Sequence, residues 1–453
     1  MRRFYYAATA AALLLLFFLH RLLTGRKKKQ QRRLPPAPRF AFPVLGHLPI
    51  LLKKPLQTSL ADLAARHGPV CFSGDHDVAL ANRPRLPSFR EFSFDYTALS
   101  LAGYGAHWRT MRCVATVHLL SARRVNLASD DVIAGEVLAM VRRLAGASSS
   151  FRVELKRRLF DLSHGVLMAM LARSTRRNAY EDDDDGMSKE AREMKGIYQE
   201  IVPLVGVANL SDYVPLLRWL DVCGVRRKLA DAEEHDWHNA GAAGDTAGRL
   251  HGYLHRRSSC ILKRAQEEID ARAGGGGRLL DKNDLPHLPY LHCIITETLR
   301  LYPATPILLP HEASTDCKIH GYDVPAGSML LVNVHAIHRD PTVWEKPEEF
   351  RPERFEHGKA AGKFMIPFGM GRRRCPGENL AMRTIGLVLG ALLQCFEWSR
   401  VGDGEVDMTP GYGAVMFKVV PLEALCKPRA NMSALLQKVV KVQNGTRAET
   451  IAN

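Results

Sequence analysis

The longest apolar run opens the chain. Phe4 to Leu19 is apolar apart from Thr9, and Leu22 and Leu23 extend the run past His20 and Arg21. That is about twenty residues, near the length needed to span a bilayer. No small-residue cleavage site precedes the basic cluster that follows, so the pattern predicts an uncleaved anchor over residues 1–24. A different pattern governs Leu288 to Leu301, where Leu291, Ile294, Ile295 and Thr298 recur at i, i+3, i+4, i+7. This spacing predicts a helix with one buried face, ended by Pro303. Gly377 to Trp398 is apolar nearly all round and predicts a buried helix. Trp108 and Arg112 stand four apart at the start of another predicted helix and share a face. Asp323-Val324-Pro325-Ala326-Gly327, followed by Ser328 to Val334, reads as a turn and then a strand. Gly411 to Val415 reads as a late hairpin.

Charge changes the picture near the anchor. Arg26-Lys27-Lys28-Lys29 and Arg32-Arg33 follow the apolar run, so the anchor's C-terminal side is expected to face the cytosol. Pro35-Pro36-Ala37-Pro38, Pro43 and Gly46 then predict a stiff spacer, giving a basic and proline-rich hinge over 25–46. The sequon Asn444-Gly445-Thr446 is then expected to be cytosolic and unmodified. The net charge is +16 over 453 residues, yet no recognition motif with interleaved aromatics accompanies it, which argues against a nucleic-acid binder. The remaining basic residues suit an acidic electron-donor protein, anionic lipid or a plain solvated surface. Nine cysteines without paired spacing argue against a disulfide framework or a structural zinc site. Glu181 to Asp185 reads as a solvated acidic loop and Gly274 to Gly277 as a flexible connection.

The densest chemistry lies in Phe368-Gly369-Met370-Gly371-Arg372-Arg373-Arg374-Cys375-Pro376-Gly377. It places one thiol in a Gly- and Arg-rich loop that opens onto the apolar helix. A thiolate is a good axial ligand for haem iron. Gly369, Gly371 and Gly377 are expected to let the backbone turn tightly against a flat ring. Arg373 is suited to neutralise a haem propionate, and the helix N-terminus to stabilise a sulfur anion.

This loop resembles the haem-binding loop of cytochromes P450, with Phe-x-x-Gly-x-Arg-x-Cys-x-Gly present in full. Other stretches fit in the family's order. Trp108 and Arg112 match a pair that contacts a haem propionate. Glu297-x-x-Arg300, with Arg354 from Pro352-Glu353-Arg354-Phe355, resembles the Glu-Arg-Arg triad that locks the core around the haem loop. Pro303 to Glu312 matches the segment that runs past the haem face. There the resemblance implies Ala304, Ile307 and Leu308 as substrate contacts and His311 as a propionate contact. Phe368, Arg373, Cys375 and Gly377 are the implied haem-loop contacts, with Cys375 the iron ligand. Ala81 to Pro87 and His107-Trp108-Arg109 also fit a plant microsomal group that contains isoflavone hydroxylases.

The resemblance implies a mainly α fold: a cytochrome P450-like helical domain over 47–428 with a small β-sheet, an N-terminal membrane helix and a tail over 429–453. It further implies haem as cofactor and electrons from NADPH through NADPH-cytochrome P450 reductase. The implied reaction is monooxygenation of an apolar small molecule, such as a flavonoid or isoflavonoid. The implied location is the endoplasmic reticulum membrane, single-pass, with the body facing the cytosol.

Two segments depart from the family pattern. Ala242-Ala243-Gly244-Asp245-Thr246 is the one candidate for the oxygen-activating motif, in which Asp245 and Thr246 would relay protons. Its flanks within 223–260 are polar or basic, unlike a helix buried against haem. Family character resumes near Ile261. Between His67 and the Ala81-Asn82-Arg83-Pro84 stretch only Cys71 to Leu80 remains, so a strand pair is expected to be missing. An alternative to a working enzyme therefore stays open here: an inactive relative or a mis-joined gene product that binds haem weakly without turnover.

Overall fold

The computed structural model describes residues 32–37, 55–67, 77–146, 151–172, 192–196, 212, 259–275, 277–360, 364–402, 406–409, 415–416 and 418–441. The anchor 1–24, most of the hinge, Asp245, Thr246 and the hairpin tip 411–414 lie outside the described residues. Among the described residues no helix is long and apolar enough to cross a membrane.

Helices dominate. In chain order they include α1 (Leu56–His67), α2 (Pro87–Phe92), α3 (Ala106–Val114), α4 (Ala122–Ala128), α5 (Ala134–Gly146) and α6 (Leu155–Ala172). Then come α7 (Ser259–Ala273), α8 (Pro289–Leu301), α9 (Val334–Ile337) and α10 (Glu378–Cys395). The last explains the all-round apolar sequence. Leu387, Val388, Ala391, Leu392 and Cys395 pack into a core shared with α5 and α6. Ile385, Leu389 and Leu393 pack into a second core with α7 and α8. A helix wedged between two cores needs apolar residues on both faces. Because the Cys375 loop leads directly into α10, the loop inherits a rigid base.

α8 begins with Pro289 in the first turn, where a missing N–H costs nothing, and ends at Tyr302 ahead of Pro303. Leu291, Ile294, Ile295 and Leu299 are all buried, each worth about 1.5–3 kcal/mol of transfer free energy.

The β structure is small, as expected. β1 (Phe151–Glu154), β6 (Phe396–Arg400) and β7 (Glu423–Pro428) form an antiparallel sheet in the order β1-β7-β6. β2 (His311–Glu312) pairs with β5 (Met329–Leu330), and β3 (Cys317–Ile319) with β4 (Tyr322–Val324). The β3–β4 turn is His320-Gly321, with φ of 48° and 77°, the left-handed pair that matches hairpin twist.

Three boundaries differ from the sequence reading. The apolar run to Trp398 is not one helix: α10 stops at Cys395, and Phe396 to Arg400 join the ladder with β7. Pairing with a distant strand overrides local periodicity. The strand expected over 328–334 shrinks to Met329–Leu330, because the Asn333 side chain accepts from the Ala336 amide at 3.1 Å and caps α9. The described part of the hinge, 32–37, does not stand clear of the body. Arg33 N donates to Asp323 Oδ2 at 2.7 Å, Asp323 N donates to the Arg33 carbonyl at 2.7 Å, and Arg32 pairs with Asp316 at 3.0 Å.

Candidate haem-binding site

The Cys375 loop folds on its own backbone. Cys375 N donates to the Phe368 carbonyl at 2.8 Å, and Gly369 N to the Ile366 carbonyl at 3.0 Å. Gly369 and Gly371 adopt φ of 73° and 64°, which side-chain-bearing residues avoid. Gly377 differs from expectation. Its φ is −87°, open to any residue, and a Cβ there would rest 3.8 Å from Cys375 Sγ, an ordinary contact. Phe368 packs against the core of α7, α8 and α10 and anchors the start of the loop.

Cys375 itself is exposed. The protein packed around its other sides and the Glu378 carboxylate push the thiol up, while the Gly377 amide and Arg112 pull it down. The net direction is upward, so the helix terminus alone does not make the thiolate. A bound metal would, since coordination deprotonates a thiol.

Three guanidinium groups cluster at the loop: Arg112 acts on the thiol, Arg373 faces Arg112, and Arg83 faces Arg373. Arg373 donates from Nε to the Ala81 carbonyl at 2.8 Å and from Nη2 to the Ala102 carbonyl at 2.7 Å, and lies 4.4 Å over the Trp108 ring. Arg112, four residues beyond the buried Trp108 on α3, donates to the Arg374 carbonyl at 2.5 Å. Arg83 donates to the carbonyls of Ser100, Leu309 and Pro310 at 3.1, 2.6 and 2.8 Å. Burial, then Arg373, pushes Arg83 down to about 9. Burial, then Arg112, pushes Arg373 down to about 10. All remain charged at neutral pH. Among the described residues none of the three has a carboxylate partner.

This arrangement is short of negative charge. Each guanidinium is solvated by carbonyl oxygens and retains further N–H groups. A ligand with two carboxylates and an iron that binds a thiolate would supply what the cluster lacks, so the residues present fit a haem.

The segment expected to face the ring runs close by. Leu308 Cδ1 lies 3.8 Å from where a Cβ at Gly369 would sit. Leu308 N donates to the Val332 carbonyl at 3.0 Å, Ile307 bridges to Asn333, and the Ala304 carbonyl accepts from Met416 N at 2.7 Å. His311 Nδ1 is 2.7 Å from the Leu80 carbonyl, and a carbonyl only accepts, so Nδ1 carries the proton. Burial, then Arg83, pushes this ring down to about 4. The neutral ring presents only a lone pair at Nε2, and it would give a propionate a donor only on protonation.

Behind the loop lies the predicted triad, fully formed. Glu297 accepts from Arg300 Nε at 2.7 Å, Arg300 Nη2 at 2.9 Å, Arg354 Nε at 3.0 Å and the Arg351 amide at 2.8 Å. Glu297 and Arg300 are wholly buried. The triad reaches the loop through a residue the sequence reading missed. Arg300 Nη1 donates to the His338 carbonyl at 2.7 Å, and His338 Nε2 accepts from Ile366 N at 3.0 Å, just before Phe368. Arg83 was legible only as part of a stretch typical of a group. The available signal was an Asn82-Arg83-Pro84-Arg85 run, in which nothing local tells the inward Arg83 from Arg85.

The cytochrome P450 family model matches residues 257–424. Cytochrome P450 81Q32 of Catharanthus roseus is 36% identical over 479 residues, covering 90% of this chain and 93% of the relative. An isoflavone 2'-hydroxylase of Glycyrrhiza echinata is 34% identical over 469 residues, covering 87% and 92%. A zebra fish cytochrome P450 structure with abiraterone superposes with a TM-score of 0.66 at 23% identity, covering 83% of this chain and all of that one, a likeness of fold. With thiol loop, guanidinium cluster and triad assembled as above, and relatives matched along nearly their whole length, the chain belongs to the cytochrome P450 family of haem-thiolate monooxygenases.

Proposed function

We propose that this chain hydroxylates an apolar plant specialised metabolite of the flavonoid or isoflavonoid class. It does so as a single-pass protein of the endoplasmic reticulum membrane, with its body in the cytosol. The observation that carries the chemistry is the Cys375 thiol loop joined to the Arg112, Arg373 and Arg83 cluster, none of which has a carboxylate partner among the described residues. The substrate class rests on the relatives, which include isoflavone 2'- and 3'-hydroxylases. The membrane tether rests on the apolar run before Arg26.

Bound haem supplies reductive activation of dioxygen with electrons from NADPH through a reductase, so that one oxygen atom enters the substrate and the other leaves as water. The chain's residues do the rest. Cys375 would hold the iron as a thiolate. Arg112 and Arg373, with the Trp108 ring packed against Arg373, would hold the propionates and offset their charge. His311 adds a contact there when protonated. Ala304, Ile307 and Leu308 give the substrate an apolar wall and exclude water. Asp245 and Thr246 are the residues that would hold and pass protons for this chemistry.

A reduced-plus-CO difference spectrum of the membrane-expressed protein tests the centre, followed by turnover of a flavonoid and isoflavonoid panel with reductase. A Soret band near ~450 nm is expected for a thiolate-held haem, and Cys375→Ser is expected to abolish it. A wild-type protein without that band overturns the reading. A band with no turnover of any panel member overturns the substrate class.

A further inference from the structure

Three arginines in a row, Arg372, Arg373 and Arg374, precede Cys375. Chemically they are equivalent, yet the structure gives them three destinations. Arg374 is drawn outward by Glu378, at 2.6 and 2.7 Å. Arg373 alone turns inward, onto Ala81, Ala102 and Trp108. Arg372 is drawn away by Asp77. The Arg372 amide donates to Asp77 Oδ1 at 3.0 Å, and its Nε lies 3.0 Å from Asp77 Oδ2.

Asp77 reaches this position because the residue before Arg372 is glycine. A Cβ on Gly371 would collide with Asp77 Oδ1, so the carboxylate occupies the space a side chain would take. The segment that carries Asp77 is itself held firmly. The carbonyls of Ala79, Leu80, Ala81 and Asn82 accept from Ser314 N, His311 Nδ1, Arg373 Nε and Glu312 N. Leu80 and Ala81 are buried. The stretch that looked truncated in sequence thus supplies a rigid platform against the thiol loop.

We propose that Asp77 is a positioning residue that sets the register of the arginine run. It binds both the amide and the guanidinium of Arg372, keeps Arg372 outside, and leaves Arg373 as the inward cation beside Cys375. Without Asp77, Arg372 is free to compete for the carbonyls and the aromatic face that Arg373 uses, and the Cys375 loop loses its single geometry. The proposal rests on the reading of Cys375 as the haem ligand, and its test separates the two.

The test uses the full chain in detergent, as wild type, Asp77→Ala, Asp77→Asn, Arg372→Ala and the Asp77→Ala/Arg372→Ala double variant. Two readouts are taken: hydrogen exchange over residues 369–375 in the haem-free protein, and the reduced-plus-CO spectrum of the loaded protein. Asp77→Ala is expected to raise exchange at the Arg372 amide by about tenfold or more, and to move at least half of the band near ~450 nm to the blue-shifted form. The double variant is expected to regain the band, because the competing arginine is gone; simple loss of a tether would not be rescued this way. Arg372→Ala alone keeps the amide bond and is expected to keep the band. Unchanged exchange and spectrum in Asp77→Ala overturn the proposal, as does a lost band that the second substitution fails to restore. If Asp77→Ala does not fold, Asp77→Asn, which keeps an oxygen for the Arg372 amide but loses the charge that holds its guanidinium, decides by its spectrum and by that of its Arg372→Ala double. A wild type with no such band sinks the haem reading, and the exchange result still decides whether Asp77 holds the loop.

Discussion

Substituting Glu297 with alanine removes the one anion on which Arg300, Arg354 and the Arg351 amide converge, at distances of 2.7 to 3.0 Å. Glu297 and Arg300 have no exposed surface, and the Arg354 side chain is 8% exposed. The variant therefore leaves a buried guanidinium with no anion, only the carbonyls of His338 and Glu349 and the face of Trp344. Breaking a buried pair by removing one member costs about 3–5 kcal/mol, since the remaining charge stays desolvated. Glu297→Gln keeps the volume but loses the charge and turns an N–H toward Arg300, so a similar loss is expected. At a urea slope of about 3 kcal/mol/M, the unfolding midpoint falls by about 1 M or more. The control is Glu423→Gln, which breaks the cross-strand pair with Arg152, whose side chains are 59% and 41% exposed. Exposed pairs contribute about 0–1 kcal/mol, so the control should move by no more than about 0.3 M. A Glu297→Ala midpoint no lower than the control's would refute the argument that the triad is a buried lock.

Two further outcomes follow from the same geometry. Burial holds His338 at about 3 and His311 and His335 at about 4, all below the usual 6.5. These rings fold neutral, while the unfolded chain takes up their protons below pH 6.5. Stability should therefore fall as pH drops from 6.5 toward 4, by up to about 1.4 kcal/mol per pH unit from His338 alone. Urea midpoints at pH 7 and 5 measure this, and a slope that His338→Gln leaves unchanged would count against it. Gly371→Ala drives a Cβ into the space of Asp77 Oδ1 at a φ of 64°, displacing that carboxylate from Arg372, so at least half of the CO band should move to the blue-shifted form as in Asp77→Ala. Gly402→Ala, at φ 74° with nothing within 4 Å, should bear only the backbone strain of about 1–2 kcal/mol and keep the band.

The sequence by itself determined what is local. The span of α8 follows from its apolar period and flanking prolines, and the thiol loop from glycines at φ above zero around one cysteine. The Glu297–Arg300 pair is an i, i+3 contact that any helix there would make. The all-round apolar character of α10 announced burial, and the structure explains it by two cores on opposite faces.

What tertiary structure decided are the relations between distant segments. The end of α10 at Cys395 is set by pairing with β7, whose energy lies in a strand that local periodicity does not encode. His338 looks in sequence like any surface histidine; only the fold places its ring between Arg300 and Ile366. The three arginines before Cys375 are alike until Asp77 and Glu378 withdraw two of them. A side chain's chemistry is written in its own residue, but its partner is chosen by packing, and so the sequence carries the ligand while the fold selects which arginine stands beside it.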